Sequence, residues 1–154
     1  MKNLELKIPP VAVLLATAAV MFLVSKLHLC GFGINAIIRF EITGLLGFIA
    51  VVVLGLSVVA FREYRTTVNP MHPENTRHLV TVGIFRYSRN PMYLAMVMLL
   101  LAWACYLNEV LNLGLVALFI MFIQRFQILP EERMLEGHFG DEFGNYFRRT
   151  RRWL

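Results

Sequence analysis

An all-helical integral membrane bundle of about four transmembrane helices, ending in a cytoplasmic amphipathic helix, is the fold class that three features of this 154-residue chain predict. Hydrophobic residues make up 58% of it and charged residues only 16%. With a mean hydropathy of +0.62, that is too apolar for a soluble domain of this length. Apolar runs long enough to cross a bilayer recur along the chain, and the polar residues gather between and after them. No strand–helix alternation is present, so a soluble α/β enzyme with a glycine-rich phosphate loop is excluded by pattern.

The elements follow in order from this. Met1 to Pro10 is a short polar lead, and Pro9-Pro10 suits the first turn of a helix. The first span, residues 11–29, covers about 28 Å, enough for a hydrocarbon core of about 30 Å. A cleavable signal around Ala16-Thr17-Ala18 is the competing reading, but the apolar run continues past it through Val24. After a connection containing Gly31, Gly33 and Asn35, residues 42–61 form the second span. Gly44 and Gly47 lie three apart within it and share a face, which suits close approach by a neighbouring helix and equally suits the general frequency of glycine in membrane helices. Residues 62–90 form the long polar segment, with Asn69-Pro70, His72-Pro73 and Gly83 as turn signals. A third span occupies residues 91–107 and a fourth 110–128, joined by a tight Asn108-Glu109 corner. In the tail, residues 130–154, Leu135, Phe139, Phe143 and Phe147 recur every four residues, as on one face of an interfacial helix.

Charge sets the orientation. Of the 15 lysines and arginines, all but Lys26 and Arg39 fall in the lead, the 62–90 segment and the tail from Arg125. Both termini are therefore expected to be cytoplasmic. The formal charge of +5 belongs to these loops. No basic run is interleaved with aromatics outside the last residues, so nucleic-acid binding is not expected.

The chemistry concentrates at that face. In Arg89-Asn90-Pro91, Asn90 suits an N-cap and Pro91 a first helical residue, so the tripeptide reads as the start of the third span. A helix N-terminus beside Arg89 suits an anion, although a capped end with a snorkelling arginine accounts for the same residues. Tyr93 lies one turn on, and Gly83 and Tyr87 lie just before. Glu131 and Glu132 follow Pro130, a pattern suited to a second helix start, where acidic groups complement the dipole. Arg148, Arg149, Arg151 and Arg152 close the tail, and attraction to anionic lipid accounts for most of them. His28, His72, His78 and His138 lack metal-ligand spacing with Cys30 and Cys105, so no metal site is expected. The two cysteines both fall near the non-cytoplasmic ends of their spans, where a disulfide is permitted and two buried thiols are expected.

Arg-Asn-Pro-Met-Tyr at 89–93, Glu-Glu-Arg-Met-Leu at 131–135 and Phe-Gly-Asp-Glu-Phe-Gly-Asn-Tyr at 139–146 together resemble the isoprenylcysteine carboxyl methyltransferase and phospholipid methyltransferase family. The resemblance covers roughly the second half of the chain. It implies a membrane enzyme that takes a methyl group from S-adenosyl-L-methionine, leaving S-adenosylhomocysteine, and gives it to a lipophilic acceptor such as a prenylcysteine-like carboxylate or a phospholipid-like head group. It implies donor binding by Gly83, Tyr87, Asn90, Pro91, Tyr93, Glu131, Glu132 and Tyr146, with Glu132 favoured over Glu131 as the main contact. Arg89 and Arg149 are implied as the residues acting on the acceptor. Membrane lipid is the expected surrounding, and no protein partner is indicated. Asn90 stands where the family commonly has histidine and Phe143 where it usually has tyrosine, which removes an imidazole and a hydroxyl from the set. Membrane sterol reductases carry a similar Arg-x-Pro-x-Tyr signature, so an NADPH-dependent reductase is the alternative, although those proteins usually have a longer array of spans. A non-catalytic bundle is the third reading.

Overall fold

A computed structural model describes residues 5–63 and 79–154. Asn69-Pro70, His72-Pro73 and most of the polar segment between the second and third spans lie outside the described residues. Helix α1 (Pro10–Ser25) begins at the Pro9-Pro10 pair, as the missing N–H groups favour. It is followed by α2 (Ala36–Glu63), a 3-10 turn (Gly83–Arg86) and α3 (Pro91–Leu107). Then come α4 (Asn112–Ile123), a π-helical turn (Gln124–Ile128), α5 (Leu129–Phe139) and α6 (Asp141–Arg149). Among the described residues there is no β-strand, and the fold is all-helical.

Among the described residues two helices are long and apolar enough to cross a membrane, Ala36–Ala60 within α2 and the continuous Asn112–Phe139. Helices α1 and α3 are apolar but shorter, with 16 and 17 residues. The core lies between α1, α3 and α4. Met21, Tyr93, Met96, Val97, Leu100, Val116, Phe119 and Ile123 are buried in it. Two polar bonds tie α1 to its neighbours inside that core: Trp103 Nε1 donates to Ala18 O at 3.1 Å and Asn112 Nδ2 to Met21 O at 3.3 Å. Helix α2 packs along α3 on the outside with the small residues Ala50 and Ser57 buried, and its Ala60 is buried with Val80 and Phe85 at the 3-10 turn.

The structure corrects several expectations. Helix α2 starts six residues before Ile42, because Asn35 Oδ1 accepts the Ile37 N–H at 2.8 Å and caps it. The charges of Arg39 and Glu41 ended the apolar run without ending the helix; Arg39 Nη1 reaches across to Tyr106 O at 2.6 Å and Cys105 O at 3.3 Å, the last carbonyls of α3. Next, of the two readings of Gly44 and Gly47 the general frequency of glycine holds, since among the described residues nothing lies within 4 Å of a Cβ built at either. The small residues that are buried, Ala50, Ser57 and Ala60, lie further along α2. Finally, the tail is not one amphipathic helix: Gly140, at φ 50° and ψ −121°, breaks it into α5 and α6, a conformation open to glycine and strained for other residues. Leu135 and Phe139 therefore belong to one helix, and Phe143 and Phe147 to the next.

Pro130 was expected to open a new helix, but the chain runs helically through it. Proline cannot return a hydrogen bond to the preceding turn. Here the turn widens to π geometry, with Leu129 N–H bonding to Gln124 O, and the carbonyl of Phe126 accepts Leu6 N–H at 3.1 Å instead. The N-terminal lead is held there further, by Gln127 Nε2 to Ile8 O at 2.7 Å and by Glu5 between Arg125 at 3.2 Å and Arg133 at 2.6 Å. At the opposite end of the bundle, the connection after α1 meets the α3–α4 corner. Buried Glu109 accepts Leu29 N–H at 3.0 Å and Cys30 N–H at 3.1 Å, and Asn108 takes the left-handed C-cap of α3. Both cysteines are free thiols, Cys30 exposed and Cys105 half-buried.

Candidate active site

The polar end of the bundle forms where α3 begins, α5 begins and the chain ends. At its centre is the carboxylate of Glu132, 9% exposed, held between two guanidinium groups. Arg89 donates to Glu132 Oε1 from Nη2 at 2.9 Å and from Nε at 3.3 Å. Arg152 forks across both oxygens, Nε to Oε1 at 3.1 Å and Nη2 to Oε2 at 2.7 Å. Such charge-assisted pairs are stronger than neutral ones, and the fork fixes the plane of the carboxylate. Arg89 is fixed on its other side as well: Nη1 donates to Phe147 O at 2.9 Å and to Thr150 O, and the guanidinium lies 4.0 Å from the centre of the Phe147 ring.

Glu131, one position earlier on α5, faces α3, where Tyr93 donates its hydroxyl to Glu131 Oε2 at 3.2 Å. Because the helix is continuous through Pro130, neither carboxylate sits at a free helix N-terminus, and complementing a dipole does not account for them. Tyr146 on α6 is buried and donates to Phe85 O at 2.8 Å, joining α6 to the 3-10 turn. Burial pushes its phenol well above the ordinary value, with the nearby charge of Arg89 opposing in part.

Asn90 occupies the N-cap position of α3, but its side chain makes no capping bond. Its Nδ2 donates to Arg152 O at 3.0 Å, and its backbone N–H donates to Ser88 Oγ at 3.1 Å. This is a correction to the capping role expected of it. Pro91 begins the helix as expected and is fully buried.

The structure thus brings Arg89, Asn90, Pro91, Tyr93, Glu131, Glu132 and Tyr146 to one end of the bundle. Gly83, at φ 58°, starts the 3-10 turn leading into it. Tyr87 is 73% exposed. Arg149 is also exposed, lining an open groove on the outer side of α6 with Glu142, Asn145 and Arg148. Arg152, one of the four tail arginines for most of which lipid attraction accounts, is the residue that joins Arg89 at Glu132. Nothing in its local sequence distinguishes it from Arg148, Arg149 or Arg151, since its partner is 20 residues away.

The cluster of two carboxylates and two arginines thus lies at one end of an apolar helical bundle that includes, among the described residues, two helices long and apolar enough to cross a membrane. A family model described as phospholipid methyltransferase matches residues 36–142, from the start of α2 into α6, and the chain belongs to that family of membrane methyltransferases. A Haemophilus influenzae protein described only as uncharacterized is 46% identical over 63 residues, which are 41% of this chain and 100% of that relative. No solved structure matches the chain.

Proposed function

We propose that the protein transfers a methyl group from S-adenosyl-L-methionine to a lipophilic acceptor held in the membrane. The observation that carries this reading is the Arg89–Glu132–Arg152 cluster beside Glu131 and Tyr93, in a chain of the phospholipid methyltransferase family.

The donor set suits the charges of that cofactor. Its amino group and ribose hydroxyls call for carboxylate acceptors, and its own carboxylate calls for guanidinium. Glu132 Oε2 takes one hydrogen bond, from Arg152, and keeps lone-pair capacity for a further donor; Glu131 supplies a second carboxylate beside it. Bound there, the cofactor would supply an electrophilic methyl group on a sulfonium, which leaves as part of a neutral thioether. The chain's own part is to orient the reactants and exclude water, and well-oriented intramolecular reactions gain on the order of 7 to 11 kcal/mol in this way. Arg89, fixed on several sides, holds its guanidinium against the Glu132 carboxylate at the site. Arg149, in the open groove of α6, would meet an anionic head group arriving at the same rim.

In this reading α1, α2, α3 and the α4–α5 helix are four spans of a single membrane domain, with both termini and the cluster on the cytoplasmic side. The charge distribution supports that orientation. The donor is polar and enters from the cytoplasm, whereas the acceptor enters sideways from the bilayer. Exposed Ile37, Phe48, Val51 and Val59 on α2 suit contact with acyl or prenyl chains. The test is methyl incorporation from labelled donor into membrane extracts, with Arg89→Ala as the control. Label in the lipid fraction, lost in the variant, is the expected result. Label confined to water-soluble molecules would overturn lateral entry.

A further inference from the structure

We infer that Arg152 is the positioning residue for Glu132, which makes the last residues of the chain a working part of the donor site; this rests on the reading of Glu132 as a donor contact. Glutamate has three rotatable bonds, and a carboxylate at the start of α5 has to be aimed before it can select one hydroxyl or amine. Arg89 bonds to Oε1 alone and leaves rotation about that oxygen open. Arg152, spanning both oxygens, removes that freedom and turns Oε2 to a fixed direction.

The arginine can do this because its own backbone is held on two sides. Residues 150–153 run as a strap across the start of α3. Arg89 N–H donates to Arg151 O at 2.9 Å, and Ser88 and Arg151 form an isolated parallel bridge. Arg152 O accepts from Asn90 Nδ2 at 3.0 Å and from the hydroxyl of buried Ser88 at 3.4 Å. One residue on, Trp153 Nε1 donates to Gln124 Oε1 at 3.2 Å, pinning the strap to the π-turn that precedes Glu131 and Glu132. The strap therefore connects the element that carries Arg89 and the element that carries Glu132. It also gives Asn90 a role that needs no imidazole: its amide sets the position of the Arg152 backbone.

Attraction of basic residues to anionic lipid, the competing account, treats Arg151 and Arg152 alike. The geometry does not, because the Arg151 side chain is exposed whereas Arg152 reaches inward. Lysine at 152 would keep the charge but lose the fork.

The experiment uses the full chain, purified, and measures S-adenosylhomocysteine affinity by calorimetry alongside thermal unfolding. Arg152→Ala is expected to weaken binding at least tenfold, Arg152→Lys by a smaller factor, and Arg151→Ala by less than twofold. In a Glu132→Gln background, Arg152→Ala is expected to add nothing further, because it acts through the carboxylate already removed. Unchanged affinity in Arg152→Ala, equal losses in Arg151→Ala and Arg152→Ala, or additive losses in the double variant would each overturn the inference while leaving the donor reading intact. Wild-type affinity in Glu132→Gln alone would overturn both. The lysine variant keeps the comparison decisive if the alanine variant unfolds.

Discussion

At the scale of single residues, the polar end is an arrangement of charges that neutralise one another within a few ångströms. Glu132 would be costly to hold at 9% exposure without partners, and its two arginines offset that cost. Tyr146 shows the same logic with a neutral group. Its hydroxyl satisfies Phe85 O, and Tyr146→Phe should lower stability by about 1 kcal/mol, read as a lower unfolding temperature. The pH dependence has a definite sign. Burial raises the phenol above its unfolded value of about 10, so the neutral form is favoured in the folded chain. Its contribution is complete below that pH and is lost as pH rises beyond it. An alkaline stability loss that is equally steep in Tyr146→Phe would show that this phenol is not responsible. The residue types were legible in the sequence, as was the shared rim of Arg89, Tyr93, Glu131, Glu132 and Tyr146. Which of four tail arginines turns inward was not, because that choice is made by the strap's hydrogen bonds to Ser88, Arg89 and Asn90, across about sixty residues of chain.

At the scale of elements, the decisive feature is the passage of α4 into α5 through the π-turn. Apolar composition and Pro130 suggested a stop there, since proline removes one backbone donor. The stop is avoided because Leu6 N–H takes the carbonyl that Pro130 leaves, a contact 120 residues apart in sequence that no local pattern announces. By contrast, α3 was legible from Pro91 to Leu107, because both of its ends are marked by local chemistry, proline at the start and an asparagine in left-handed conformation after the end. The π-turn sets the direction in which Glu131 and Glu132 leave the helix, so its loss should be felt in the site before it is felt in the fold. Pro130→Ala restores an N–H that competes for Phe126 O. It is expected to leave helical content and unfolding temperature unchanged or slightly raised while reducing S-adenosylhomocysteine affinity. Full affinity in that variant would show that the turn does not direct the carboxylates.

For the whole molecule, the arrangement separates two ends of an apolar bundle. One carries the arginine–glutamate cluster with the N-terminal lead and the tail. The other carries Glu109, Asn108 and the connection through Cys30. The bundle class and this polarity were legible from composition and from the distribution of lysine and arginine, whereas the start of α2 at Ala36 was hidden by Arg39, whose charge is absorbed by the end of α3. If the cluster faces the cytoplasm, the exposed thiol of Cys30 should react with an impermeant maleimide in intact cells carrying Cys105→Ser, and a cysteine placed at exposed Glu142 should not, once Cys30 is also replaced. Labelling at 142 with protection at 30 would invert the topology.

The proposed role of this cluster is to hold a methyl donor. It is tested most directly by titrating the purified protein with S-adenosylhomocysteine and, separately, with NADPH, and repeating both with Glu132→Gln. The account predicts saturable binding of S-adenosylhomocysteine, no binding of NADPH, and at least a tenfold loss of affinity in the variant, the scale of about 1.5 to 3 kcal/mol for hydrogen bonds to a charged group. Binding of NADPH in place of S-adenosylhomocysteine, or S-adenosylhomocysteine affinity unmoved by Glu132→Gln, would contradict it.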